Sequence, residues 1–177
     1  WYSLQKTGGI VAQLPTGGNW KLSLACLRRS GIICATMKAT TVGREGGYRC
    51  VVCIKQVPDT KQISGAAMKA DGTVNRAALP AIFNPEDRNA LEAALRVREA
   101  CGGTVAVVTM GLPAACAILR TALMCGADEA YLLTDRRAAG SDTLATSYLL
   151  SQAVRTLKPD LVFCGRQAID GDTAQVG

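Results

Sequence analysis

Histidine is absent from all 177 residues of the chain. Its absence excludes a Ser–His–Asp triad and removes the commonest metal ligand. The sequence also lacks G-x-G-x-x-G, G-x-x-x-x-G-K-[ST], H-E-x-x-H and G-x-S-x-G. A dinucleotide fingerprint, a phosphate-binding P-loop, a zinc protease site and a hydrolase nucleophile elbow are therefore not predicted.

Acidic residues are scarce at the start of the chain. Residues 1–48 contain six Lys/Arg and one acid, whereas residues 49–177 contain fourteen bases and thirteen acids. The net charge of +6 therefore lies almost entirely in the first segment. No basic stripe with interleaved aromatic residues is present, so nucleic-acid binding is not predicted.

Long apolar runs are missing as well, although cysteine is plentiful. No run approaches the ~20 residues of a membrane span, and no signal peptide is recognisable. Most of the eight cysteines stand in apolar runs, where free cysteine behaves as a small hydrophobic residue. Cys50 and Cys53 have the spacing of a redox or zinc pair, but in a strand they would face opposite sides. We predict core cysteines, no metal site and a cytoplasmic protein without a membrane span.

Residues 1–48 differ from the remainder of the chain. They are rich in Gly, Thr, Lys and Arg and show neither strand alternation nor a helical face. One hypothesis is translation through an upstream region, since Arg44–Gly47 could be encoded by a purine run resembling a ribosome-binding site. The other is a genuine extension that docks on the domain. The sequence thus divides into an unassigned basic extension, residues 1–48, and a functional domain, residues 49–177.

Apolar strands alternate with amphipathic helices from residue 49 onward. Strands are predicted at CVVCIKQV, TVAVVTMG, AYLLTD and LVFCG, helices in the segments between the later strands, and the first turn of a fourth helix at GDTAQVG. A polar excursion over residues 58–83, with a turn at residues 70–73, is predicted as a hairpin or a loop. Uniformly apolar strands indicate a parallel sheet covered on both faces, so the predicted fold class is α/β and Rossmann-like.

Helix boundaries carry recognisable signals. Asn84 is predicted to cap the first helix, with Asp87 at the position of a capping-box acid and Gly102 closing the other end. Ser141 or Asp142 is predicted to cap the third helix.

Ligands of parallel sheets gather at the carboxyl ends of the strands. The corresponding tips here are Met110–Gly111, Asp135–Thr143 and Gly165–Thr173. In the last tip, a cap by Asp172 or Thr173 would leave helix N–H groups suited to a phosphate.

Other side chains of this tip add polar contacts. Arg166 suits a phosphate or a ring, Gly171 permits close backbone approach, and Gln167 and Asp170 suit ribose or base edges. Ordinary helix capping explains the Gly-Asp-Thr turn equally well, and spacing alone leaves both explanations open.

Six blocks of sequence resemble the beta, or small, subunit of electron transfer flavoprotein. They are VVCIKQVPDT, NPEDRNALEAAL, TMG, GADEAYLLTDR, SDTLATS and CGRQAIDGDTAQVG. The resemblance spans residues 49–177 in order, and the last block is highly specific to that family. Residues 1–48 do not take part in it.

The resemblance implies an adenine nucleotide alpha-hydrolase-like domain that is incomplete at its C-terminus. In the family, this subunit pairs with a larger alpha subunit that carries a redox-active FAD. The small subunit itself holds AMP or, in electron-bifurcating members, a second FAD. The motifs VPDT, GSDTLATS and DGDTAQVG resemble the anaerobic bifurcating type most closely. That type divides an electron pair from NADH between two acceptors. Implied partners are the alpha subunit, dehydrogenases such as acyl-CoA dehydrogenases, and NADH.

The resemblance also implies which residues bind the cofactor, whether FAD or AMP. They are Cys53, Asn84, Met110, Gly111, Asp142, Thr143, Arg166, Gln167, Ala168, Ile169, Asp170, Gly171, Asp172, Thr173, Gln175, Val176 and Gly177. No catalytic side chain is implied, because a bound flavin performs the redox chemistry. Two departures from the family pattern stand beside the implied flavin: Arg137-Ala138 replaces Ala-Phe, and Ser141 replaces Ala.

Two other functions use the same fold. One is a stand-alone adenine-nucleotide binder of the universal-stress type, which would take ATP or AMP without a flavoprotein partner. The other is a non-catalytic interaction module.

Overall fold

We describe the protein from a computed structural model, which covers residues 46–59, 61 and 79–177 and the backbone of four earlier strands. The early strands are β1 (Ser3–Gln5), β2 (Gly9–Val11), β3 (Lys21–Leu27) and β4 (Ile32–Lys38).

The remaining elements alternate between strand and helix, as the sequence predicts. The strands are β5 (Tyr48–Cys53), β6 (Gln56–Pro58), β7 (Ala81–Phe83), β8 (Gly103–Met110), β9 (Glu129–Thr134) and β10 (Leu161–Cys164). The helices are α1 (Pro85–Cys101), α2 (Cys116–Met124) and α3 (Thr143–Leu157). Short 3₁₀ turns at Pro113–Ala115 and Arg136–Ala138 precede α2 and α3.

A six-stranded sheet forms the centre of the molecule, in the order β10-β5-β8-β9-β4-β3. β10, β5, β8 and β9 run parallel to one another, whereas β4 and β3 continue the sheet in antiparallel pairing beyond β9. Two-stranded antiparallel pairs are formed by β1 with β2 and by β6 with β7. The predicted α/β fold with a parallel sheet is confirmed.

The pairing of β4 with β9 was not predicted. Residues 1–48 lack the alternation from which strands are recognised, yet Ile33 to Lys38 pair with Thr134 to Glu129. The division of the chain at residue 48 is not tested by this pairing and stays a prediction.

Helices cover both faces of the parallel strands. Cys50 and Val52 pack with α1 and α2 on one face, whereas Val51 packs with α3 on the other. Strand side chains alternate between faces, so a parallel sheet buried on both sides needs apolar residues throughout. Cys53 packs on the α3 face, opposite Cys50, which confirms that Cys50 and Cys53 cannot act as a CxxC pair.

Two of the helices bury an apolar face against the sheet. α1 buries Leu91, Ala94 and Leu95, and α2 buries Ile118, Leu119, Ala122 and Leu123. Full burial of a leucine-sized side chain contributes about 1.5–3 kcal/mol, so these faces hold the helices on the sheet.

The helix ends follow their predicted signals in part. Gly102 closes α1 with φ +76°, and its N–H donates to the Arg98 carbonyl. α3 ends at Lys158, which has φ +50° in the left-handed region. Asp142, rather than Ser141, caps α3 by accepting the N–H of Ala145 at 2.8 Å.

The predicted fourth helix is wrong. Residues 172–177 are not helical, and Asp172 and Ala174 have positive φ of 53° and 51°. Asp172 accepts a hydrogen bond from Gln167 Nε2, and Gln175 accepts one from Thr143 Oγ1, so the polar groups of this segment make loop and α3 contacts instead of a helix start. The turn predicted at residues 70–73 lies outside the described residues. Of the helices that are described, none is long and apolar enough to cross a membrane.

Candidate functional site

A cavity lies where the sheet order reverses. The chain passes from β5 to β8 and β9 on one side and then returns to place β10 on the other side of β5. The connections therefore diverge beyond the carboxyl ends of β5 and β10, which leaves a crevice in sheets of this type. A cavity of about 350 Å³ occupies this position.

Three parts of the chain form most of the cavity wall, and Asp87 of α1 and Met110 of β8 complete it. The end of β5 contributes Cys53, Ile54 and Lys55, and the start of α3 contributes residues 141–143, Thr146 and Leu150. The segment after β10 closes the remaining side. Its lining residues are Cys164, Gly165, Arg166, Gln167, Ala168, Gly171, Thr173, Ala174, Gln175, Val176 and Gly177.

Gly165 lets this segment pass close to α1. A Cβ at this position would lie 2.2 Å from Asp87 Oδ1 and 2.8 Å from the Asp87 amide nitrogen. Such contacts are too short for any side chain, so the approach of the segment to α1 requires glycine.

Asp87 joins the two strand ends that flank the cavity. Its Oδ2 accepts the backbone N–H of Lys55 at 2.8 Å, and its carboxylate also accepts hydrogen bonds from the Gly165 backbone and the Asn84 side chain. Burial raises the pKa of Asp87 to about 6, although these hydrogen bonds act in the opposite direction. Asp87 is therefore not the capping-box acid that the sequence predicts.

Asn84 binds the backbone of the segment after β10 on the side away from the cavity. It is buried, its Nδ2 donates to the Gln167 carbonyl at 2.9 Å, and its Oδ1 accepts the Ile169 N–H at 3.3 Å. It stands at the N-terminal boundary of α1, but its side chain makes no capping hydrogen bond. The predicted side-chain cap is wrong, because the Asn84 amide group hydrogen-bonds to the neighbouring loop and to the Asp87 carboxylate instead.

Polar side-chain pairs hold the segment after β10 in place, one within the segment and others to Lys55 and to α3. Lys55 Nζ lies 2.7 Å from Asp170 Oδ1, and Gln167 Nε2 donates to Asp172 Oδ1. Thr143 Oγ1 donates to Gln175 Oε1 at 3.3 Å. Asp172 thus binds a side chain of its own loop instead of capping a helix.

Arg166 offers a cation at the mouth of the cavity. Its side chain is 71% exposed, and its Nη2 lies 3.8 Å from Glu86 Oε1. An exposed pair at this separation contributes little to stability, so the guanidinium is available to an anionic ligand. Arg137, which departs from the family pattern, does not offer its charge to the cavity. Its Nη2 donates to Asp135 Oδ2 at 2.8 Å, and its side chain does not line the cavity.

The structure brings most of the sequence-predicted site residues together. The predicted residues that line the cavity are Cys53, Met110, Asp142, Thr143, Arg166, Gln167, Ala168, Gly171, Thr173, Gln175, Val176 and Gly177. Asn84, Ile169, Asp170 and Asp172 lie in or behind the same segment without lining it. Gly111 is placed elsewhere, and its N–H donates to the Leu133 carbonyl at the end of the sheet.

Several lining residues were not predicted as site residues. They are Ile54, Lys55, Asp87, Thr146, Leu150, Cys164 and Ala174, whereas Ser141 and Gly165 lie within the predicted ligand-binding strand ends. Thr146 and Leu150 lie one turn apart after the cap of α3, so helical spacing from Asp142 could have found them. Lys55 and Asp87 gave no such signal, because their roles depend on contacts between segments 32 residues apart.

The donors and surfaces of the cavity suit an adenine nucleotide. Its apolar lining includes Ile54, Met110, Leu150 and Val176, which can contact a planar ring. Lys55 and Arg166 provide cations, and the start of α3 provides helix N–H groups. The volume is within the range of about 300–1,000 Å³ that small-ligand sites occupy.

Comparison with known proteins gives one consistent result. Residues 71–177 match the family described as Electron transfer flavoprotein domain. The chain is 56% identical over 127 residues to the electron transfer flavoprotein subunit beta of Thermoanaerobacterium thermosaccharolyticum. It is 56% identical over 131 residues to Protein FixA of Azotobacter vinelandii. It is also 54% identical over 134 residues to the Caffeyl-CoA reductase-Etf complex subunit CarD of Acetobacterium woodii.

These similarities cover 72–73% of the chain and 46–49% of each relative. The chain therefore spans about half the length of the curated relatives that it matches.

Proposed function

The chain belongs to the electron transfer flavoprotein family, and from that premise we propose that residues 49–177 form the nucleotide-binding part of a small, or beta, subunit. The observation that carries the proposal is the cavity between the ends of β5 and β10, where the sheet order reverses. It is lined by residues 164–177, the segment that resembles the family most specifically. Residues 1–48 would lie outside this unit.

The proposed ligand is an adenine nucleotide, either AMP or FAD. Arg166 would hold a phosphate together with the N–H groups at the start of α3, while Ile54, Met110 and Leu150 would contact the ring. A bound flavin supplies electron transfer, whereas AMP supplies none. The described side chains would bind and orient the nucleotide and exclude water from it.

The proposed partner is the larger alpha subunit of the family, which would complete a heterodimer. One relative is named as a subunit of a Caffeyl-CoA reductase-Etf complex, and another as an electron transfer subunit of acryloyl-CoA reductase. These names support a role in passing electrons in acyl-CoA reductase complexes. We propose acyl-CoA dehydrogenases and NADH as redox partners in the cytoplasm, and FAD with electron bifurcation rather than a structural AMP.

Purification of the natural protein tests this function directly. The protein should copurify with a larger flavoprotein, and acid release should yield AMP or FAD in equal amount to this subunit. A yellow absorption spectrum with more than one FAD per heterodimer would identify the bifurcating type. ATP without a flavoprotein partner would instead identify the stand-alone binder, and the absence of any nucleotide would contradict the proposal.

Arg166→Ala tests the position of the nucleotide. Loss of a charge-assisted contact typically removes about 1.5–3 kcal/mol, so AMP or FAD should bind at least about tenfold more weakly in titration calorimetry. Arg120→Ala is the matched control, because it removes an exposed arginine from α2 without touching the cavity. Equal affinities in both variants would contradict the placement.

A further inference from the structure

Two cysteines face each other across neighbouring strands at the edge of the cavity. Cys53 of β5 and Cys164 of β10 are partners in the parallel register, and both line the cavity. Residues paired in this way point to the same face of a sheet, on strands about 4.7–4.9 Å apart. This spacing lies within the Cα separation of about 4.4–6.8 Å that a disulfide spans.

The two thiols already interact. A side-chain hydrogen bond between Cys53 and Cys164 lowers the pKa of Cys164. The same hydrogen bond, followed by burial, raises the pKa of Cys53. The nearby Asp87 carboxylate opposes ionisation of both thiols. Cys164 is thus the reactive thiol of the pair, because the thiolate is the nucleophile in exchange reactions.

Access favours the same assignment. Cys164 is exposed and Cys53 is half-buried. Gly177 lies against Cys164, and a Cβ on that residue would come 3.0 Å from Cys164 Cβ and 3.6 Å from its Sγ. Gly177 thus packs on the Cβ of Cys164, and the distance to the sulfur is that of an ordinary contact.

We propose that Cys53 and Cys164 form a dithiol modification site that reacts with low-molecular-weight disulfides. The Cys164 thiolate attacks one sulfur of the small disulfide, forms a mixed disulfide and releases one small thiolate. Cys53 then loses its proton to solvent and attacks the Cys164 sulfur, which releases the second small thiolate. The two cysteines lose two electrons and two protons in total, and the small disulfide is reduced to two thiols.

The reaction needs only the two thiols and an oxidised small molecule, but both thiols line the cavity assigned to the nucleotide, so the test uses nucleotide-free protein. The resulting Cys53–Cys164 bond would tie the ends of β5 and β10, which form one side of the cavity. An accessible disulfide of this kind is readily reversed by excess small thiol.

Peptide mapping after treatment of the purified protein with oxidised glutathione tests the proposal. Wild-type protein should yield a Cys53–Cys164 cross-linked peptide whose mass is lower by two hydrogen atoms. Cys164 should react about fivefold faster at neutral pH than an ordinary exposed thiol, because a larger thiolate fraction outweighs its weaker nucleophilicity. Cys125, which is exposed after α2, serves as the internal standard within the same wild-type sample.

Variants separate the two steps. Cys53→Ser should retain glutathione on Cys164, because the resolving thiol is missing. Cys164→Ser should leave Cys53 unmodified over the same period, and the control Cys125→Ser should form the cross-link as wild type does. Absence of the cross-link in wild type, or equal reaction rates for Cys164 and Cys125, would overturn the proposal.

Discussion

Asp87 links the two strand ends that flank the cavity. It is a buried carboxylate that accepts hydrogen bonds from Lys55, just after β5, and from Gly165, just after β10. Burial of a charge is unfavourable unless hydrogen bonds compensate for it, and here they do so only partly, since the pKa stays raised. The ends of β5 and β10 are therefore aligned by a group that opposes the stability of the fold when it is ionised.

The raised pKa of Asp87 predicts a specific dependence of stability on pH. The folded protein retains the proton up to about pH 6, whereas an unfolded chain releases it near 3.8. The contribution of Asp87 to the free energy of unfolding should therefore decrease as pH rises between these values. One pKa unit corresponds to about 1.36 kcal/mol, so the decrease should be about 2 kcal/mol between about pH 4 and pH 7.

Denaturant titrations of wild type and Asp87→Asn at several pH values measure this contribution. The difference between the two proteins should change across the acidic range and become constant above about pH 7. Glu92→Gln is the control, because it removes only an exposed pair with Arg96 and should change stability by less than about 0.5 kcal/mol. A difference for Asp87→Asn that is constant over the whole range would contradict the raised pKa.

Gly165 gives a second prediction at the scale of one residue. Gly165→Ala should destabilise the protein by about 1–3 kcal/mol, because the new methyl group would overlap the Asp87 carboxylate and backbone. Gly171→Ala is the matched control in the same segment, since its Cβ would meet nothing within 4 Å. Thermal unfolding compares them, and equal midpoints for the two variants would show that Gly165 is not sterically required.

The elements show where sequence patterns are sufficient and where they are not. The parallel strands and the buried faces of α1 and α2 follow from uniform apolar runs and helical spacing, which depend on burial within one element. The fourth helix was predicted from capping residues, but the Asp172 carboxylate that would cap it accepts a hydrogen bond from the Gln167 side chain instead. Asn84 and Asp87 have the sequence of a helix start, but contacts with residues 55 and 165–169 use their polar groups.

The start of α3 supports a prediction at the scale of an element. Asp142 caps this helix, so Asp142→Ala should lower the free energy of unfolding by about 1 kcal/mol. Asp142→Asn should keep most of the stability, because asparagine is an equally good cap. Circular dichroism during urea titration distinguishes the two. Identical losses for both variants would indicate that the charge, rather than the cap, stabilises α3.

At the scale of the whole molecule, the cavity brings together segments that lie far apart in the sequence. β10 contacts β5 on one side, and the segment after it is fixed mainly by Asn84, Asp87 and Lys55. Sequence resemblance identified most of the lining because the last motif lies in one continuous block. It could not identify the residues that support this block, since their partners come from distant segments.

A ligand that bridges these parts should stabilise the entire domain. At a nucleotide concentration one hundred times the dissociation constant, binding to the folded state alone adds about 2.7 kcal/mol. For a chain of this length, such a gain raises the unfolding midpoint by about 5–10 °C. AMP or FAD should produce this shift in wild type, and Arg166→Ala should require at least about tenfold more nucleotide for the same shift. Uridine monophosphate, which carries the same phosphate and ribose on a smaller base, is the control for recognition of adenine. Equal shifts with uridine monophosphate would indicate a phosphate site without base recognition, and no shift with AMP or FAD would contradict the nucleotide site.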